Sequence, residues 1–209
     1  KYKFNSKLNS EINFFLNKIH DLIETQLIAN TINALPVFSY FNVNQVETRG
    51  LEFNTRWNSS KWEIKTGYQL LYAFDNDVKE AFANGEMYAK DEDGISFQLE
   101  KGDYIGLFNR SRHMANFQIS RIKEKSTYNI SLRYRSKYGL NDSNGNEVFD
   151  KYDNFIEGYT LCDISYILQV SDNQSIQLGV ENLFDFTYPQ YISNTPGRLY
   201  YLILKFNSN

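Results

Sequence analysis

Few residues in this chain have the chemistry to act on another molecule. Histidine occurs twice, as His20 and His113. His113 follows Arg110 and Arg112, and a loop imidazole can ligate a haem iron. The simpler reading of both histidines is a polar residue near a strand end. The run Asp91-Glu92-Asp93-Gly94 has the composition of a calcium loop but lacks the D-x-D-x-D-G order and the later glutamate, so it reads as a solvated acidic loop. Residues 76–109 carry eight carboxylates against three lysines, a field that disfavours anionic ligands at long range. Tyr88, Tyr104 and Tyr152 fall between the periodic segments, where an aromatic ring can stack on a ligand. With Arg110, Arg112 and His113 they are the candidate ligand contacts. There is no G-x-S-x-G, no H-E-x-x-H and no phosphate-binding glycine loop. No catalytic residue, metal site or cofactor is therefore expected, and the chain reads as something other than an enzyme. The single cysteine, Cys162, excludes an intrachain disulfide framework and a cysteine metal centre.

The elements that must position these residues follow a period of two. Tyr128, Ile130, Leu132 and Tyr134 alternate with Asn129, Ser131, Arg133 and Arg135. Trp62, Ile64, Thr66, Tyr68, Leu70, Tyr72 and Phe74 alternate with Glu63, Lys65, Gly67 and Gln69. Ile176, Leu178 and Val180 alternate with Gln177, Gly179 and Glu181, and Ala115, Phe117 and Ile119 with Asn116, Gln118 and Ser120. Convincing helical periodicity is absent, so helix content should be small. Strands are expected near 9–26, 37–57, 62–75, 112–122, 127–139, 159–170, 175–184 and 199–206, with residues 1–8 as the end of a ninth strand and a short turn. The connections alternate: about ten residues, a short turn at 58–61, about 35, a short turn at 123–126, about 20, a short turn at 171–174, and about 14. Strict sorting of long and short loops is the mark of an up-and-down meander with all long loops at one end, as in outer-membrane barrels.

Composition agrees with that reading. The 209 residues carry a net charge of −3, which gives no reason to expect nucleic acid. Mean hydropathy is −0.53, and no window holds the roughly 18 apolar residues of a membrane helix. Membrane β-strands escape that test because alternation averages to a polar score. Trp57 and Trp62 flank one short turn while Tyr72 and Tyr134 lie toward long loops, which fits two interfacial girdles. The polar phases supply the candidate lumen-facing set: Glu52, Arg56, Lys65, Gln69, Arg133, Arg135, Asp163 and Glu181. Such residues are suited to bonding neighbouring strands and whatever fills the barrel. Tyr200, Leu202, Leu204 and Phe206 make an apolar final strand that would be costly on a soluble sheet edge and is favourable against lipid.

The end of the chain carries a more specific signal. Asn182-Leu183-Phe184-Asp185, then Tyr188, then Gly197-Arg198 and a strand closing on Phe206 resembles the C-terminal end of TonB-dependent outer-membrane receptors. Val46-Glu-Thr-Arg-Gly-Leu-Glu-Phe53 is similar to a barrel strand of that family. The resemblance implies a 22-stranded barrel, of which about eight to nine C-terminal strands are present over residues 1–209 as one unit, with no plug region or TonB box in the sequence given. It implies active, high-affinity uptake of a scarce nutrient (iron-siderophore, haem, cobalamin or similar) across the bacterial outer membrane. The implied partners are outer-membrane lipid, the N-terminal strands and plug of the same receptor, TonB acting through that N-terminal part, and a small-molecule or metal-chelate ligand. Two other readings stay open on the sequence: a self-contained eight-stranded outer-membrane barrel with a structural or adhesive role, and a soluble carbohydrate-binding β-sandwich.

Overall fold

The computed structural model describes residues 2–3, 7–33, 36–91, 93–189, 192 and 195–206. Nine strands form one sheet in chain order: β1 (Tyr2–Lys3), β2 (Leu8–Asn30), β3 (Pro36–Asn58), β4 (Trp62–Asp75), β5 (His113–Lys123), β6 (Ser126–Arg135), β7 (Tyr159–Ser171), β8 (Gln174–Glu181) and β9 (Leu199–Phe206). Each pairs antiparallel with the next. Among the described residues the sheet has two ends, at β1 and β9, and does not close on itself. Among the described residues this order is that of neither a self-closed eight-stranded barrel nor a two-sheet sandwich. The expected ninth strand is present as β1, while residues 1 and 4–6 lie outside the described residues. No helix among the described residues is long and apolar enough to cross a membrane, which says nothing of strands.

Register turns the alternation into two chemically opposite faces. One cross-strand row reads Leu8, Trp57, Ile64, Ile119, Ile130, Ile164, Val180 and Tyr200. Nearer the loops lie Thr66, Phe117, Leu132 and Cys162, then Ile12, Phe53, Tyr68, Ala115 and Tyr134, then Phe14, Leu51 and Leu70. The other face reads Asn9, Arg56, Lys65, Gln118, Ser131 and Asp163 in one row, and Glu11, Asn54, Gly67, Asn116 and Arg133 in the next. Apolar side chains on the first face are left open: Phe14, Phe117, Ile130, Leu178, Leu202 and Phe206 are all exposed. That is the polarity of a membrane β-sheet, apolar outward and polar inward. Trp62 with Tyr128 and Tyr72 stand ten residues apart along β4, about 33 Å of strand, or about 24 Å of height at a tilt near 45°.

Near the C-terminus, a glycine lets two strands approach. Tyr201 of β9 lies against Gly179 of β8, where any Cβ would overlap the ring and its hydroxyl, and that hydroxyl accepts a hydrogen bond from Gln177 at 3.1 Å.

Three loop features depart from the sequence expectation. The first long connection is not a loop. β2 and β3 run 23 residues each and pair up to Asn30 and Pro36, about 76 Å of strand. A spanning strand needs only about 9–11 residues, so this hairpin is about twice as long as a membrane crossing requires. Secondly, the loop after β4 contains a helix, α1 (Asn76–Asn84), capped by the Asp75 carboxylate accepting the Asp77 amide and ended by Gly85 at φ 73°. Thirdly, β6 stops at Arg135 and β8 at Glu181, short of the expected 139 and 184. Chain 136–158 forms short strands of its own instead, Tyr138–Asn141 paired with Asn154–Ile156.

Candidate functional site: the polar face and its loop cap

The loops form a packed cap at one end of the sheet. Phe82 of α1, Ala89, Leu99 and Val148 are its buried centre, with Val78, Met87, Phe97 and Tyr104 against them. The segments 76–112 and 136–158 are stitched together. Gly106 pairs with Phe149 and Tyr104 with Asp150 as a short antiparallel ladder. Asn109 donates its amide to Gly139 at 3.0 Å, and Lys151 donates its own to Asp103 at 3.0 Å. Phe149 is buried between Phe108 and Phe155 and lies over Gly139.

Polar groups inside the cap are satisfied locally. Asp142 accepts the amides of Asn144, Gly145 and Glu147, Asp150 accepts the side-chain amides of Asn144 and Asn146, and Asp153 accepts the amides of Ser143 and Asp150. Among the described residues no group of three or more metal-ligating side chains is assembled. Burial pushes the Asp153 carboxyl up; the two amides it accepts offset part of this, and the nearby Asp150 and Asp142 carboxylates add to it, so that it reaches about 6. Burial also raises Asp103, but the ammonium of Lys151 at 2.6 Å and the Glu100 amide bring it below the ordinary aspartate value. Glu92 of the acidic run lies outside the described residues.

The candidate ligand residues divide into groups. Tyr88 and Tyr152 are exposed on the cap. Tyr152 meets Phe97 edge-on with ring centres 5.0 Å apart, and Asn146 holds the Tyr88 carbonyl at 3.1 Å, which places both tyrosines on one connected layer. Tyr104 belongs to the core instead. It stacks on Phe82 at 5.2 Å, packs on Phe74 at 5.6 Å, and its hydroxyl accepts the Asp75 amide at 2.8 Å; burial raises its pKa. Arg110 pairs with Glu24 of the long hairpin, tying hairpin to cap. Arg112 lies over the Tyr72 ring at 4.7 Å. His113 opens β5 in register with Leu70, on the apolar face, and its Nδ1 is 2.8 Å from the Tyr68 hydroxyl. Its ring therefore lies on the side of the sheet opposite Arg133 and Arg135.

The candidate lumen residues share the polar face. Glu52 accepts Gln69 at 3.0 Å, Arg133 pairs with Asp163 at 2.9 Å, and Arg56 and Lys65 both meet Glu63. Arg135 is held toward the cap by Ser111 Oγ at 2.7 Å and the Asn109 carbonyl at 2.9 Å, with its guanidinium 3.7 Å over Tyr138. Glu52, Gln69, Arg133 and Arg135 border one concavity of about 560 Å³ together with Met114, Asn116 and Tyr159. Tyr159 and Met114 were not among the sequence candidates. Met114 sits in phase with Asn116 and Gln118, so the alternation does carry its signal. Glu181 lies on this face at the end of β8.

The C-terminal motif is a joint between loop and wall. Asn182, buried at φ 50°, donates from Nδ2 to the carbonyls of Phe186 at 2.7 Å and Pro196 at 3.0 Å, and accepts the Phe186 amide at 2.9 Å. Its own amide reaches Asp163 at 2.9 Å, and the Leu183 amide reaches the Cys162 carbonyl at 2.7 Å. Asp185, at φ 57°, accepts the Arg198 amide at 2.7 Å beside Gly197. Tyr188 bridges to Ile192, Phe186 stacks on Tyr159 at 4.6 Å, and Phe184 is exposed. Phe206 ends β9 on the open apolar face.

A family model described as TonB dependent receptor-like, beta-barrel matches residues 1–183. Among solved structures the chain is similar to the ferric-catecholate import receptor Fiu of E. coli K12, at 19% identity over 97% of this chain and 26% of that one, with a TM-score of 0.61. It is similar to the copper transporter OprC at 14% identity, 97% and 29% coverage and a TM-score of 0.60. The ferric enterobactin receptor PfeA of Pseudomonas aeruginosa gives 16% identity, 97% and 29% coverage and a TM-score of 0.63. The chain thus spans between 26% and 29% of the length of these three structures. No curated protein sequence matches it.

Proposed function

Because this chain belongs to the β-barrel family of TonB-dependent receptors, which are outer-membrane transporters and not enzymes, we propose that it supplies part of the barrel wall and outer vestibule of an importer for a scarce metal-chelate or similar nutrient. The observation that carries this reading is the concavity of about 560 Å³ on the polar face, bordered by Glu52, Gln69, Arg133 and Arg135, with Arg135 tied to the loop cap through Ser111 and Asn109. A mixed-charge inner face suits a plug and water, and a rigid cap suits ligand capture at the outer rim. In this reading the ligand first meets Tyr88 and Tyr152, whose exposed rings offer stacking surface. Arg133 and Arg135 then line its way inward and hold the plug. Tyr104 and the Asn182–Asp185 joint keep the vestibule in shape without touching ligand. The open ends of the sheet pair with the remaining strands of the same receptor, and TonB supplies energy through the plug. Ferric catecholates and copper, named for the solved neighbours, are the first ligands to try.

The test is growth of a strain deleted for the gene on single sources of ferric siderophore, haem, cobalamin or limiting copper, with the intact gene and an Arg133→Gln/Arg135→Gln variant restored in turn. Loss of growth on one source, recovered by the intact gene and reduced for the variant, is expected. Unchanged growth on every source contradicts nutrient import of these ligands.

A further inference from the structure

The apolar face changes character at its loop end. Above the row of Phe14, Leu51 and Leu70 comes a row in which Arg49 stands opposite Tyr72, and above that one in which Glu47 stands opposite Phe74. Three cations converge on these two rings. Arg112 lies 4.7 Å and Arg49 6.0 Å from the centre of Tyr72, and Lys79 of α1 lies 4.3 Å from the centre of Phe74. One carboxylate answers them: Glu47 is 3.6 Å from Arg49 and 3.8 Å from Lys79. Lys18 stands across from Glu47 on β2. Asp75, at the start of α1, is in register with Val46 on the opposite face.

We propose that this rim is a binding site for the phosphate of an outer-leaflet lipid headgroup. A guanidinium stacked on a ring keeps its N–H edge free, and that edge matches a phosphate. The acyl chains of the same molecule have their surface ready below, on Phe14, Leu51 and Leu70. A soluble phosphate would match the cations but would leave that adjoining apolar face unused, so the lipid is the occupant the geometry favours. The rim surplus of positive charge is local, since the chain as a whole is net negative.

The experiment uses the protein expressed in full, purified in neutral detergent, with native mass spectrometry against phosphatidic acid and phosphate-free diacylglycerol of equal chain length. Phosphatidic acid is expected to bind in preference. Arg49→Gln, Lys79→Gln and Arg112→Gln each lower that preference about fivefold, while Arg121→Gln, over Trp62 at the opposite rim, leaves it unchanged. Arg49→Lys and Arg112→Lys keep the charge but lose the planar N–H edge, and lower the preference less than the Gln changes do. Absence of preference in the native protein, or its survival in the triple Gln variant, overturns the proposal. Inorganic phosphate is the free-anion arm: displacement of the lipid at comparable concentration assigns the site to free phosphate and overturns it as well. The site requires membrane placement but not nutrient uptake, so growth phenotypes and lipid binding fail separately.

Discussion

The loop cap and the sheet wall obey opposite rules of polarity. In the cap, Phe82, Ala89, Leu99, Val148 and Phe149 are buried, and the charged residues around them lie at the surface or are hydrogen-bonded. In the wall, Phe117, Ile130, Leu178 and Leu202 are exposed, and Arg133, Asp163, Gln69 and Glu52 crowd the other face. The cap is stabilised by taking apolar surface out of water. The wall needs no apolar interior if its apolar face has lipid as its solvent, and β4 to β7 each pair with a neighbour on both sides. A similar degree of exposure therefore means different things: Tyr88 at 52% on the cap and Phe117 at 37% on the wall meet different media.

Substitutions can break that contrast. The largest effect is expected in the cap. Phe149→Ala removes a ring packed on Phe108 and Phe155 and should destabilise the cap by about 3–5 kcal/mol, read as loss of hydrogen-exchange protection over residues 104–110 and 138–156 with the strand cores still protected. Collapse of protection in β4 to β7 as well would mean that cap and wall are one cooperative unit. Next, Phe117→Arg puts a charge near mid-height of the wall and should cost roughly 2–4 kcal/mol in a bilayer. Tyr88→Arg should fold like the native protein, and urea titrations in liposomes would show equal effects if the wall did not face lipid. Asn182→Ala sits where the two regions join. It leaves the Phe186 amide and two carbonyls without their partner and should cost about 2 kcal/mol, seen as fraying of residues 182–198 ahead of the strands. The smallest effect is with pH. The folded cap holds the proton on Asp153 more tightly than the unfolded chain does, with values of about 6 and 3.8. Cap protection should therefore fall as pH rises through that window and level off above it. Asp153→Asn should flatten the slope, and an unchanged slope would assign it to another group.

The wall was legible in the sequence for a plain reason. Each of its strands keeps one face in lipid, so the period of two survives in Trp62–Phe74 and Tyr128–Arg135 almost without exception. The parity that assigns Ala115, Phe117 and Ile119 to the apolar face also assigns His113 there, so its turn away from the concavity was readable from phase alone. The cap was far less legible. The pairing of Gly106 with Phe149 joins residues with no local relation. Helix α1 buries only Phe82, too little for a helical stripe, and its clearest marks are its ends, Asp75 and Gly85. Most of the β2–β3 hairpin was read as strands 9–26 and 37–57; what was missed is its tip, where pairing runs on to Asn30 and Pro36 through residues that lack clean alternation. The C-terminal motif was found by resemblance, while its work as a hydrogen-bonded joint at Asn182 and Asp185 became visible only in three dimensions.

The inverted polarity of the wall can be tested most directly by labelling. Single spin labels at residues 128 to 135 of the full protein in lipid vesicles would be probed with oxygen, which concentrates in lipid, and with a water-soluble nickel chelate. Positions 128, 130, 132 and 134 should respond to oxygen, and 129, 131, 133 and 135 to nickel, in strict alternation. Equal nickel access on both sets, or the reverse phase, would contradict a sheet whose Ile130 face lies against lipid and whose Arg133 face lines the interior.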